Sequence, residues 1–280
     1  MDNETNGGMS LWNGGPSQGS SLAIEVEKSR AVTEVQAALV IAKRFPRDEF
    51  EAHTRIMKAC ERSSLAKAAL YSYPRGGQTV TGPSIRLAEV LAQNWGNMET
   101  DVVILETLED RTKCVAVCWD LQTNYRNKVP FEVPHEIQLK NGSMKKLTDP
   151  RDIREHIDNI GARKKRQAII GVIPGDVVAD AIDRCRKVVA LGDKNDPLDA
   201  RIKRVLLAFK ELGVTQQMLE LKLEHSMDIA TQDDLVELQG IYNALKDGAS
   251  RDEFFDMKPA SAPLDSMKSI LNKEDLKPKK

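Results

Sequence analysis

The sequence predicts an α+β fold: a three-stranded antiparallel β-meander with flanking helices, followed by a small all-α C-terminal module. Two observations predict it. The hydrophobic period switches from three-and-four to two near Met98 and back again near Asp149, which confines the strands to one central block. Within that block the runs METDVVILETL, TKCVAVCWDL and YRNKVPFEVPHEIQL are separated by only the short polar turns EDR and QTN, the pattern of consecutive antiparallel neighbours.

The elements follow in order. Residues 1–25 are rich in Gly, Ser and Asn and read as a disordered tail, with Trp12 an incidental exposed aromatic. From Ser29 to Phe45 the residues Val32, Val35, Ala38, Leu39 and Ala42 recur at helical spacing, and Pro46 stops the helix. A second helix is expected over Arg47 to Cys60 and a short third over SSLAKAAL. In YSYPRGGQTVTG, Gly76 and Gly77 turn the chain between two short extended pieces. The helix in TGPSIRLAEVLAQNWGN is expected to be capped by Thr81 or Gly82, to carry Pro83 in its first turn and to end at Gly96.

After the meander, KNGSMKKLTD reads as a loop, with Asp149 an N-cap and Pro150 the first helical residue. The stripe Ile153, Ile157, Ile160 would, in an unbroken helix, place Lys164 at its centre, and an unpaired buried lysine is costly. Either the helix bends near Gly161 or the stripe opens onto a groove where Lys164 is wanted; a change of direction near Gly161 is expected. Pro174-Gly175 interrupts the chain before the helix DVVADAIDRCRKVVALG. The core is therefore expected over 26–193, a small helical domain over 194–256 and a flexible tail over 257–280. Thr231 and Asp234 form a capping-box-like start to the last long helix.

Composition excludes several classes. The net charge of -1 leaves no global field to attract nucleic acid or membrane, so any electrostatic function needs segregated charge. No apolar run is long enough to span a membrane, and the N-terminus lacks the marks of a signal peptide. Cys60, Cys114, Cys118 and Cys185 form no CxxC and read as free thiols of a reducing cytoplasm. There is no GxxxxGK[ST], HExxH, paired CxxC or DxDxDG, so neither a nucleotide engine nor a metal site is signalled. His53, His135, His156 and His225 are widely spaced and read as surface or satisfied side chains. Glu106, Glu109, Asp110 and Asp120 fall near strand ends, where a metal-dependent nuclease could use them with Lys113.

Charge is segregated in one place. Between Lys140 and Arg166 lie nine bases (Lys140, Lys145, Lys146, Arg151, Arg154, Arg163, Lys164, Lys165, Arg166) against four acids, the footprint of phosphate binding. From Asp196 to Asp256, 13 acids face 7 bases, so the helical module is a poor surface for a polyanion. Tyr71, Tyr73 and Arg75 flank the glycine turn, and aromatics beside a guanidinium suit contact with a single strand. Arg86 could bind phosphate or pair with Glu89 or Glu99.

GARKKRQAIIGVIPGD, from Gly161 to Asp176, resembles the basic helix, apolar run and Ile-Pro near Gly-Asp of phage single-strand annealing recombinases of the RecT/Redβ and Erf type. WGN at Trp95 to Asn97 is similar to that family's entry to its sheet. TGPSIRLAEVLAQNWGN and LTDPRDI also read like segments of phage recombination genes. The resemblance covers about Val32 to Val189. It implies the fold of the eukaryotic annealing protein of recombinational repair, with homologous recombination in a bacterial host cytoplasm as its setting. It further implies no enzyme activity, no ATP and no cofactor, and a homo-oligomer forming a ring or helical filament. Single-stranded DNA and the annealed duplex intermediate would be the ligands, held in a groove between meander and basic helix by Tyr73, Arg75, Lys145, Lys146, Arg151, Arg154, Arg163, Lys164, Lys165 and Arg166. The C-terminal module would meet a host single-strand-binding protein or a phage exonuclease, or else is a helical cap that completes the fold. A nuclease of the same pathway and a non-catalytic protein adaptor are the alternative readings.

Overall fold

The computed structural model describes residues 18–75, 78–139, 142–192 and 196–255. The tail up to residue 17 with Trp12, the Gly76-Gly77 turn, Lys140 and the C-terminal tail lie outside the described residues, as does the side chain of Arg75.

Helix α1 (Gln18–Arg44) starts well before Ser29. The Gly- and Asn-rich composition stops at Gly19, and Leu22 to Lys28 contain no helix breaker, so the expected tail is helical from Gln18 onward. Pro46 ends it, because the residue before a proline is driven out of helical backbone geometry. Asp48 caps α2 (Glu49–Cys60), accepting from the Glu51 N–H at 2.9 Å, and Ala52, Ile56, Ala59 and Cys60 form its buried stripe. Helix α3 (Ser63–Ala69) leads directly into β1 (Leu70–Arg75), which pairs antiparallel with β2 (Gln78–Pro83).

Helix α4 (Ile85–Trp95) is capped by Ser84, whose hydroxyl accepts from the Leu87 N–H at 3.2 Å. Thr81 and Gly82 cannot serve as caps: they are still paired with Ser72 and Tyr71 in the hairpin, and Pro83 closes the ladder opposite Leu70. Gly96, at φ 80°, ends the helix in a backbone region that suits glycine.

Strands β3 (Met98–Thr107), β4 (Arg111–Asp120) and β5 (Tyr125–Pro134) form the predicted meander in the order β3-β4-β5. The third strand is shorter than expected. It stops at Pro134, and the next residues form β6 (Glu136–Gln138), which pairs with β7 (Met144–Lys146) inside the stretch expected to be a loop.

Asp149 caps α5 (Pro150–Ile170), accepting from the Arg151 N–H at 2.7 Å, and Pro150 takes the first turn as predicted. The helix runs unbroken through Gly161. That glycine is buried against β3, where a Cβ would stand 3.2 Å from Val102 Cγ1. It serves close packing of helix on strand, and a helix accommodates one glycine at about 1 kcal/mol. Helix α6 (Gly175–Leu191) follows the Pro174 break. Helices α7 (Leu198–Glu211), α8 (Gln216–Leu223) and α9 (Gln232–Lys246) complete the fold, and Thr231 with Asp234 closes the capping box of α9.

The chain is α+β, with two main hydrophobic clusters among the described residues. One joins α2, α3, α4, α5 and α6 to the inner face of the sheet through Ile56, Leu87, Leu91, Ala116, Cys118 and Ile169. The other lies among α7, α8 and α9 around Phe209, Leu219, Leu238 and Ile241. Helix α9 ties them together: Val236 enters the first cluster, and Asn243 Nδ2 donates at 2.7 Å to the carbonyls of both Lys67 and Leu70. Ser72 packs so closely beneath Gly240 that a side chain there would collide with its hydroxyl. No helix among the described residues is long and apolar enough to cross a membrane.

Candidate nucleic-acid interface

Arg163, Lys164, Lys165 and Arg166 are consecutive on α5, so at about 100° per residue they fan around most of the helix. Their surroundings separate them. Lys165 turns to α4 and donates to Glu89 Oε1 at 2.9 Å, which commits it to packing the two helices. Glu89 is therefore engaged by Lys165, and Arg86 instead lines a small cleft of ≈ 210 Å³ with Tyr71, Asn159, Arg163, Arg166 and Asp247.

Arg163, Lys164 and Arg166 meet in a larger cleft of ≈ 770 Å³, closed on one side by Tyr73, Gly82 and Pro83 of the hairpin and on the other by α5 up to Gly171. Ile160 and Ile170 supply apolar floor, and among the described residues no carboxylate lines it. Among the described residues Arg163 and Lys164 make neither an ion pair nor a hydrogen bond, and Arg166 Nη1 donates only to the Pro83 carbonyl, at 3.4 Å. Burial pushes the Arg166 pKa below that of a free guanidinium, and Arg163 adds to the same effect, although Tyr71 and Tyr73 oppose it. A guanidinium keeps its proton under such pressure, so the cleft holds fixed positive charge that nothing in its own lining neutralises. Lys164 thus sits where the isoleucine stripe opens onto a groove, the other of the two outcomes left open by the sequence.

The remaining candidates do not join them. Arg151 and Arg154 lie in the first half of α5, and Arg151 is about 18 Å from Arg163 along the axis at 1.5 Å per residue. Arg154 Nε is held by Asp158 at 3.1 Å. Lys145 and Lys146 are exposed on β7, in a separate two-stranded sheet. The groove itself is also displaced. Space between meander and basic helix is absent, because α5 packs directly on the strands: Gly161 meets Val102, and Asn127 Nδ2 donates to the Ala168 carbonyl at 3.1 Å. The cleft opens on the other flank of α5, against the β1–β2 hairpin. Ile160 and Pro83 were named from sequence only as part of the apolar stripe and of the start of α4, and Gln167 and Ile170 were not singled out. The signal for them was the phase of α5, which is readable only once Gly161 is known to continue the helix.

Of the four acids weighed for a nuclease, three are occupied and Glu109 is exposed. Asp120 is buried in an ion pair with Arg47, Glu106 holds Lys113 at 2.9 Å and Asp110 holds Arg111 at 2.8 Å. Asp110 and Asp120 flank opposite ends of β4, about 30 Å apart at strand rise, too far to share a metal. No group of residues suited to holding a metal ion occurs among the described residues. His135 is buried as a structural side chain, its Nε2 bonded to Thr112 Oγ1 at 2.8 Å. No protein-family model matches the chain, and no curated protein or solved structure matches it significantly.

Proposed function

We propose that this protein binds single-stranded DNA in the cleft between α5 and the β1–β2 hairpin and anneals complementary strands in phage homologous recombination, without nucleotide hydrolysis. The observation that carries this reading is the convergence of Arg163, Lys164 and Arg166 with Tyr73 in a cleft that no carboxylate lines among the described residues. Three unneutralised cations call for a polyanion, and an aromatic side chain on the facing wall calls for one whose bases are free to stack. A backbone laid along the three cations loses much of its charge. A second strand then approaches against weaker repulsion, and pairing supplies the driving force. The order of helix, meander and basic helix agrees with the annealing recombinases that the sequence resembles, and those proteins act as rings or filaments. On the same resemblance the acidic helices α7–α9 are assigned to a protein partner, a single-strand-binding protein or an exonuclease.

The test is annealing of two complementary labelled oligonucleotides in chelator and without nucleotide. The expected result is a rate well above that of the free strands. A rate equal to theirs, together with no binding of a labelled single strand at low salt, overturns the reading. Magnesium-dependent loss of the label would instead favour a nuclease.

A further inference from the structure

Arg163 and Arg166 also line the second, smaller cleft, ≈ 210 Å³, bounded by the first turn of α4, by α5 and by Asp247 just beyond α9. Its volume is below the roughly 300–1,000 Å³ of a pocket for a whole small-molecule ligand, so it suits one compact group. A third guanidinium joins the two there, that of Arg86 on α4. Arg86 is exposed and makes neither an ion pair nor a hydrogen bond among the described residues. Glu89, one turn along the same helix, is held by Lys165 instead.

The end of α4 adds donors. Ser84 lines the cleft and is buried, at 4% accessibility. Its hydroxyl oxygen accepts from the Leu87 N–H, but its proton has no acceptor among the described residues. A hydroxyl buried in that state is completed by an acceptor from outside. Ile85 and Arg86 line the same wall, and the N–H groups of the first helical positions have no partner within the helix. Acceptors are fewer. Among the described residues the one carboxylate lining the cleft is that of Asp247, which is exposed. Three positive charges against one negative leave a net of two.

That charge selects the ligand. A phosphate inside a strand is a diester with a single negative charge. A phosphate at the end of a strand is a monoester, with a charge of about −1.5 to −2 at pH 7 and three strong acceptor oxygens. We infer that the small cleft seats a phosphate monoester, the terminal phosphate of a strand whose body lies in the larger cleft. The inference rests on the DNA-binding reading of the larger cleft and adds a fixed end to it. Arg163 and Arg166 belong to both clefts, so a strand that follows α5 and stops at them delivers its last phosphate to Arg86 and Ser84. A strand has direction, and a cleft that holds it one way round seats only one of its ends, 5′ or 3′.

The experiment uses the full chain and a short labelled oligonucleotide in three forms: hydroxyl at both ends, phosphate at the 5′ end only, and phosphate at the 3′ end only. At low salt one phosphorylated form should bind about tenfold or more tightly than the hydroxyl form, in line with charge-assisted hydrogen bonds to the added charge. Arg86→Gln should erase that difference and leave the affinity for the hydroxyl form unchanged, since Arg86 does not line the larger cleft. Asp247→Asn should widen the difference, because the opposing carboxylate is gone. Both side chains are exposed, so the fold is kept. Equal affinity for all three forms, an equal gain from a phosphate at either end, or a gain that survives Arg86→Gln would each overturn the inference while binding of the hydroxyl form upholds the larger cleft. No binding of any form would overturn both. A deoxynucleoside monophosphate tested without DNA reads the other source of the group: affinity equal to that of the phosphorylated strand, and lost in Arg86→Gln, would make a free nucleotide the ligand in place of a strand end.

Discussion

The guanidinium of Arg166 lies over the ring of Tyr71, with 5.5 Å from its central carbon to the ring centroid. The contact joins α5 to β1 and makes a basic residue part of the cleft wall. Its flat face is held by the ring and its edge is left for an anion. Arg166→Lys keeps the charge but loses the planar stack. Single-strand affinity is expected to fall about three- to tenfold, in line with the worth of a partly desolvated cation–π contact. Fluorescence anisotropy of a labelled oligonucleotide checks it. Unchanged affinity would mean that only the charge matters.

Among the described residues Arg163 and Lys164 have no partner to lose, and Lys165 has one. Arg163→Glu with Lys164→Glu should therefore weaken binding strongly and make it less salt-dependent, with the logarithmic slope smaller by about 0.7 for each phosphate contact removed. Lys165→Ala should leave the affinity unchanged and cost at most about 1 kcal/mol, the worth of a surface ion pair. Salt titrations of the two variants side by side measure both. If Lys165→Ala were the more damaging, the cleft would be misassigned.

Asp120 accepts from Arg47 with both side chains nearly sealed from water, at 7% and 3% accessibility. Arg47 also lies 5.2 Å over the Trp95 ring, and its Nη1 has no hydrogen-bond partner. Removing the carboxylate strands a buried cation, so Asp120→Ala should cost about 3–5 kcal/mol in urea unfolding. A loss under about 1 kcal/mol would mean that water reaches the guanidinium.

His225 predicts a pH dependence. The Ser226 carbonyl and then the Asp234 carboxylate favour its protonated form and lift its pKa above 6.5. Its stabilisation is complete below pH 6.5, where the ring is charged in folded and unfolded chains alike, and is lost as pH rises through the lifted folded value. Burial alone would raise the Asp234 pKa, but hydrogen bonds from Thr231 and the neighbouring imidazolium bring it below 3.8, so that contribution disappears only in acid. Thermal melting across neutral pH should show the decline, and His225→Gln should flatten it. A decline of the same size in the variant would assign it to another group.

The meander was legible because Cys114, Ala116 and Cys118 alternate with Val115 and Val117, and the turns beside them are too short for anything but hairpins. The N-cap at Asp149 and the capping box at Thr231 were legible because capping is local chemistry. Gly161 misled. A glycine inside a helical pattern reads as a break, and only the tertiary proximity of Val102 shows why it is there. The site was legible as a charge excess but not as a place. Sequence counts nine bases between Lys140 and Arg166, but the partners that remove Lys165 and Arg154, namely Glu89 and Asp158, are ordinary acids until the helices are assembled.

The β1–β2 hairpin is one layer thick, and neighbouring residues look opposite ways. Tyr73 walls the cleft, while Ser72 is pressed beneath Gly240 of α9. A displacement of α9 would press on Ser72, and Ser72 belongs to the same ribbon as Tyr73 and bonds across it to Thr81 Oγ1 at 3.1 Å. The hairpin therefore couples two surfaces one residue apart, and any displacement of α9 against Ser72 reaches the side of the ribbon that carries Tyr73.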